Sequence, residues 1–236
     1  IDMTTTESSK PQIRAIRNVG GDMIFNGDIE LVANGTNNGF LNAVDCWDGG
    51  NIEFNGESII LTTNGDSVKA NTVQCVDSNG EATTIGFNSD NTSITNDSRR
   101  SDGGKSWAND FVIEGANAKV IFNGNEVNLT SINDEYTAQN INLISGGVVE
   151  FNADKTTLKA ESDYGVNGIG GTGIAKFNNG IVNIIGEVNT DNGQGTSNAI
   201  GIFTGTQVSE NVEEFNINIF GAGVESTNDK ARHCQI

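Results

Sequence analysis

Few residues in this sequence are equipped for catalysis. Ser67, in Gly65-Asp66-Ser67, would need a base to take its proton before acting as a nucleophile, yet the only histidine is His233, close to the chain end. Asn189-Thr190-Asp191 offers one carboxylate where glycoside hydrolysis needs two in defined roles. Both segments are read as polar turns or loops, so no catalytic residue is assigned and a non-enzyme is expected. Asp45, Asp48 and Asp77 have the right atoms for calcium, which takes about six to eight oxygens. The chain has no Gly-Gly-x-Gly-x-Asp repeat and no Asp-x-Asp-x-Asp-Gly loop. No cofactor is expected, calcium stays open as an alternative, and a solvated acidic face is the plainer reading.

Two other groups of residues stand out. Cys46 and Cys75 lie 29 residues apart, the same interval as Phe25 to Phe54 and Asn42 to Asn71. That spacing predicts stacked neighbours about 4.8 Å apart, within disulfide reach for Cα atoms. A bridge and a pair of stacked free thiols both remain open, with Cys234 as the odd cysteine. The segment from Thr95 to Trp107 holds Arg99, Arg100 and Lys105, three of the 13 basic residues, beside one of two tryptophans. Guanidinium, ammonium and indole groups often anchor binding and suit acidic glycans or carboxylates. Arg99, Arg100, Lys105 and Trp107 are therefore the candidate partner-binding loop, against the alternative of a polar loop with Trp107 packed back on the protein.

Composition narrows the function classes. A formal charge of −18 on 236 residues repels nucleic acid and anionic membranes, so neither is an expected partner. The longest apolar runs, such as Ile181 to Ile185, are too short to span a bilayer. The N-terminus has no apolar signal-peptide core. The chain is accordingly read as a mature or excised piece in which Ile1-Asp2-Met3 and Ala231 to Ile236 are candidates for foreign sequence. Glycine is 30 residues, proline only 1 and asparagine 34, which suits many short strands joined by turns and argues against a loose linker. Sequons at Asn34, Asn91, Asn96 and Asn128 are expected by chance in such a sequence.

Seven of the eleven phenylalanines precede an asparagine, at Phe25, Phe54, Phe87, Phe122, Phe151, Phe177 and Phe215. Their drifting period near thirty residues points to a solenoid or similar array. A strand runs into each Phe, a second follows it (Ile29 to Leu31, Ile59 to Leu61, Val127 to Leu129), and a third carries Asn with an apolar residue near two positions on. In that third piece the repeated residues are read as Asn42, Asn71, Asn109, Asn140, Asn167 and Asn198. Three strands per coil predict an all-β, right-handed parallel β-helix of about six to seven coils. The Asn after each Phe is expected either in a tight left-handed turn or in an amide ladder. Scarce proline agrees with strands paired on both sides. Residues 1–20 are expected to form an irregular capping segment, 21–225 the helix and 226–236 a tail. Swollen coils are expected at Thr95 to Asp110 and at Asn189 to Asn211.

The phrase of two glycines, a short strand and Phe-Asn recurs at Gly20 to Asn26, Gly49 to Asn55 and Gly146 to Asn152. It resembles the repeats of bacterial autotransporter passengers over about residues 20 to 220. The resemblance implies a secreted or cell-surface β-helix exported through the outer membrane of a Gram-negative bacterium. It implies a non-enzymatic role as adhesin or stalk in adhesion, aggregation or biofilm. The partner would be a surface glycan, a surface protein or a further copy of the chain. No alternating barrel strands follow Phe220, so the chain is read as a passenger piece without direct membrane insertion. The alternative is a β-helix polysaccharide-active enzyme or a tailspike-like glycan binder. Asn189-Thr190-Asp191 is similar to one motif of the polygalacturonases, without their Asp-Asp, Gly-His-Gly or Arg-Ile-Lys. Gly65-Asp66-Ser67 is similar to part of the chymotrypsin-like Gly-Asp-Ser-Gly, with Val68 in the last position.

Overall fold

The computed structural model describes residues 2–5, 12–36, 40–66, 69–99, 107–134, 137–163, 165–189 and 199–221. Among them there are only strands, turns and bends, and all strand pairing is parallel. One sheet, A, stacks β1 (Asp2–Thr5), β3 (Ile29–Thr36), β5 (Ser58–Asp66), β8 (Asn91–Arg99), β11 (Glu126–Asn133), β14 (Lys155–Ser162), β17 (Ile181–Val188) and β20 (Glu214–Gly221). The other, B, begins with the long strands β2 (Gln12–Phe25) and β4 (Phe40–Phe54). Later coils divide this course into two strands at a bend: β6 (Lys69–Val76) and β7 (Thr83–Phe87), then β9 (Trp107–Glu114) and β10 (Ala118–Phe122). After these come β12 (Thr137–Ile144) and β13 (Val148–Phe151), β15 (Gly165–Gly171) and β16 (Ile174–Phe177), and β18 (Ala199–Thr204) and β19 (Gln207–Glu210). The result is a parallel β-solenoid of about six turns.

Period-two alternation decides which side chains enter the core. β11 and β17 alternate half-buried and buried residues along their whole length, as a strand with one solvated face must. Inward residues meet their equivalents in the next coil. Phe25, Phe54, Phe87, Phe122, Phe151 and Phe177 form one stack, with ring centroids 4.9 to 5.3 Å apart and interplanar angles of 3° to 16°. These spacings follow the strand separation within a sheet. Phe111 meets Phe87 and Phe122 edge-on, with centroids 6.0 and 5.5 Å away, a favourable aromatic geometry.

Four expectations from the sequence change. The segment up to residue 20 is no irregular cap from Gln12 onward: β2 pairs with β4 along its length, and Ile13 and Ile16 are buried. In the coils of β2 and β4 two strands merge into one, because the glycine corner turns within the ladder. Gly20, Gly21 and Gly49 have φ of 74°, 83° and 82° there, a backbone region that glycine enters without a Cβ clash. Phe215 does not extend the Phe stack. Glu210 occupies the position next to Phe177, while Phe215 lies in sheet A opposite Val182. The long 38-residue interval before Phe215 was therefore a change of strand. Finally, Gln139, not Asn140, is the register partner of Asn109 and Asn167, and Gly201 stands opposite Asn167, one coil on. Asn198, like residues 222–236, lies outside the described residues.

The Asn after each stacked Phe forms the amide ladder and not a left-handed turn. Asn55, Asn88, Asn123, Asn152 and Asn178 each donate from Nδ2 to Oδ1 of the Asn one coil earlier, at 2.7 to 3.1 Å. Asp48 and Ser145 are the only non-glycine residues with positive φ among the described residues. Phe122 is fully buried in the middle of the stack, whereas Phe215 is only partly buried against the core. Phe122→Ala is therefore expected to lower the unfolding free energy by about 3–5 kcal/mol and Phe215→Ala by clearly less, read from urea unfolding curves. Equal losses at the two positions would contradict this assignment of the stack.

Candidate functional site

The three corners of the solenoid differ in how far they tolerate variation. At the corner after the Phe stack, the link into sheet A has three residues in every coil, from Phe25 to Ile29 through Glu210 to Glu214. The coils approach closely at this corner. A Cβ on Gly124 would collide with the Ser89 carbonyl of the preceding coil. Asp28 Oδ1 also accepts hydrogen bonds from the Glu57 and Ser58 N–H groups at 2.8 and 3.0 Å, so this turn is fastened to the next. The corner leading from sheet A into sheet B behaves differently. Its links have three, two, seven, three, two and ten residues, between β3 and β4, β5 and β6, β8 and β9, β11 and β12, β14 and β15, and β17 and β18. Length variation at one corner of a rigid scaffold marks the place where binding residues can be added without disturbing the core.

The candidate loop belongs to that corner. β8 continues to Arg99 and β9 starts at Trp107, so the inserted link is shorter than Thr95 to Asp110, and Arg100 and Lys105 fall outside the described residues. Arg99 stands opposite Asp66 in the β5–β8 register, and Trp107 opposite Lys69 in the β6–β9 register. The second expected insertion contracts in the same way to residues 189–198, since Ala199 already opens β18. A further signal was available in the sequence. The chain's two tyrosines, Tyr136 and Tyr164, immediately precede β12 and β15, the next two strands after β9 in the sheet. Three of the four Trp and Tyr residues thus belong by sequence to the links or strand starts of one corner, which only the strand order reveals.

Other singled-out residues have structural partners. Asp45 is fully buried. It pairs with Arg14 Nε at 3.0 Å and Arg17 Nε at 3.5 Å, and it accepts a hydrogen bond from Trp47 Nε1. Burial nonetheless raises its pKa above the usual carboxylate value, the Trp47 bond and the two guanidinium groups opposing that shift. Asp48 Oδ1 accepts from the N–H and hydroxyl of Ser78 at 2.9 and 2.8 Å, and Asp77 accepts from Gly80 and Asn117. Asp45, Asp48 and Asp77 are therefore engaged by N–H and O–H donors, and no group of three or more His, Cys, Asp or Glu residues suited to a metal ion occurs among the described residues. Asn189 donates to Glu161 Oε1 at 3.2 Å, while Thr190, Asp191, Ser67 and His233 lie outside the described residues. Of the sequons, Asn96 is buried and donates to the Ala70 and Asn109 carbonyls.

The sequence missed a buried polar seam where sheets A and B face each other. Thr63 and Thr72 share a hydrogen bond of 2.7 Å, Ser98 donates to Asn96 at 2.6 Å, and Ser131 donates to the Ala108 carbonyl at 3.1 Å. Asp110 and Asn140 lie inside the same seam, both fully buried. On sheet A, Thr63, Asn96, Ser98 and Ser131 keep the period-two alternation, but inside the sheet B strands two successive residues point inward, as at Asn140 and Ile141, so alternation does not mark Asp110 and Asn140.

Cys46 and Cys75 are in-register neighbours on β4 and β6, and both are buried free thiols. The candidate disulfide is not formed in this structure. Parallel in-register neighbours point their Cβ atoms the same way, and both sulfurs turn to carbonyls instead. Cys46 Sγ donates to the Thr84 carbonyl at 3.8 Å, and Cys75 Sγ to those of Thr83 and Lys119 at 3.5 and 3.6 Å. Burial, and secondarily Asp45, pushes the Cys46 thiol up to about 12, and burial raises Cys75 further. Since the thiolate is the reactive form, iodoacetamide at pH 8 is expected to leave both cysteines unmodified in the native chain and to alkylate both in denaturant without reductant. A Cys46–Cys75 linked peptide in a non-reduced digest would overturn that expectation.

Compared with known proteins, the chain matches no family model, no curated protein and no solved structure.

Proposed function

We propose that this chain is part of the passenger of a bacterial autotransporter, displayed at the cell surface as a non-enzymatic adhesin or stalk. The observation that carries this reading is the division of labour between the corners. One corner is held at three residues in every coil, while the links at another range from two to ten. A scaffold built this way keeps a rod constant and lets one edge change, which suits recognition of a surface partner.

The composition of the variable edge points to the partner's chemistry. Arg99 and Trp107 bound its seven-residue link, which contains Arg100 and Lys105, and Tyr136 and Tyr164 occupy the two following links. Basic and aromatic residues in the links of one corner favour an acidic glycan or a carboxylate-bearing protein surface. The same composition suits the glycan-binding alternative without hydrolysis.

Replacing Arg99, Arg100 and Lys105 together by Ala is expected to reduce attachment to cells or acidic glycans at least several-fold. Thermal stability that hardly changes would place the loss in binding and not in folding. Unchanged attachment would move binding away from this corner, and turnover of any member of a panel of acidic and neutral glycans would replace the adhesin reading with an enzyme. A coding sequence that continues into an outer-membrane β-barrel would support the autotransporter assignment, and a continuation into an unrelated anchor would remove it.

A further inference from the structure

Asp110 is the one carboxylate among the described residues placed wholly inside the coil without a cation beside it. Its place on β9 is fixed by the neighbouring register pairs. Asn109 and Phe111 stand opposite Asn71 and Val73 on one side and opposite Gln139 and Ile141 on the other. Thr72 and Asn140 therefore flank Asp110 in the adjacent coils. Asn140 Nδ2 donates to Asp110 Oδ2 at 2.8 Å, and to the Lys159 and Leu129 carbonyls at 2.7 and 3.3 Å. Two buried oxygens in this cluster have no hydrogen-bond partner, Asp110 Oδ1 and Asn140 Oδ1. They belong to the same two side chains that the first bond already joins.

An ionised carboxylate has no proton to give, so it would leave both oxygens unmatched in a buried site. That is a costly arrangement, and a bare buried charge costs more still. A protonated carboxyl has one O–H to donate, and the Asn140 carbonyl oxygen is the acceptor without a donor. We infer that Asp110 is held in the folded chain as the neutral acid, its Oδ1–H donating to Asn140 Oδ1. Acid and amide then form a closed, doubly hydrogen-bonded latch between two successive coils.

The surroundings agree with a neutral group. Thr72 lies on β6, Asn96 and Ser98 on β8, Leu129 and Ser131 on β11, and Asn140 on β12, none of them ionisable. Lys159 on β14 presents only its carbonyl, its ammonium lying 3.0 and 3.3 Å from Glu161 and Glu187. Burial drives the Asp110 pKa well above the carboxylate range, opposed only by the Asn140 bond and the Asn96 backbone. With its folded pKa raised, the latch is intact at low pH. Its contribution begins to fall once pH exceeds the unfolded carboxyl's value and continues to fall until the folded group itself ionises. The middle coils therefore lose stability as pH rises.

Wild type and Asp110→Asn should be compared by urea unfolding between pH 5 and pH 9. Because other titrations cancel in the comparison, the wild-type folding constant should fall relative to the variant's as pH rises, by up to about tenfold per pH unit while the folded carboxyl stays protonated. Parallel pH profiles would overturn the inference. Carbon-13 NMR of the wild type labelled at aspartate carboxyls gives a second reading, which stands even if the variant does not fold. One carboxyl signal, connected to the Asp110 amide by through-bond correlation, should keep its protonated shift through pH 7. Titration of that signal at ordinary carboxylate pH would refute the latch.

Discussion

Every coil is fastened at the same point. The N–H of the residue after each stacked position donates to the carbonyl of the stacked residue one coil earlier, from Asn55 to Phe25 through Asn178 to Phe151, and again from Asn211 to Phe177. All six bonds are 2.8 Å long. This bond sets the vertical position at which a coil enters sheet A, so a longer or shorter link there would shift every following side chain. A shift of one residue would turn the whole inward set to solvent. Constancy at this corner follows from the hydrogen bond, and it leaves the far corner as the place where chain length can change.

The same constraint explains which parts of the fold were legible in the sequence. Phe-Asn recurs because the ring fills the core and the amide closes the turn, and two demands on adjacent residues make a visible motif. Phe215-Asn216 carried the same letters without the same role. Asn216 does bond to an asparagine one coil earlier, Asn183, at 3.1 Å, but on sheet A. A motif of two residues cannot distinguish two ladders that each favour an asparagine. Gln139 escaped notice for the opposite reason. It keeps an amide at the position of Asn109 and Asn167 under a different letter, and Asn140 beside it drew the match.

The candidate site was legible in its residues and illegible in its arrangement. Clustered Arg99, Arg100, Lys105 and Trp107 stand out by composition alone. That Tyr136 and Tyr164 precede neighbouring strands of the same sheet depends on strand order, which spacing does not supply when links vary from two to ten residues. The sheet B half of the buried seam was hidden by broken alternation within β9 and β12. Alternation breaks where consecutive residues both turn inward, so Asp110 and Asn140 carry the pattern of surface residues while occupying the core.

Parallel stacking also accounts for the composition. Coils in register put like positions one above another, and a column of carboxylates would repel itself. Several facial charges are paired across coils: Glu150 lies between Lys119 and Lys176, each 2.7 Å away, and Lys155 meets Glu126 at 2.8 Å, while Glu161 and Glu187, stacked in register, share the Lys159 ammonium at 3.0 and 3.3 Å. Hydrogen bonds from the two lysines outweigh the burial of Glu150 and hold its pKa below the usual value. Where the same residue must repeat, it has to donate to a copy below and accept from a copy above. The carboxamide meets that requirement without net charge. Asn125 and Asn179 even alternate with Asp90 and Asp154, donating to their carboxylates at 3.2 and 2.9 Å. The outward asparagine column from Asn26 to Asn178 thus repeats one residue without the repulsion of a carboxylate column or the exposure of an apolar one to water.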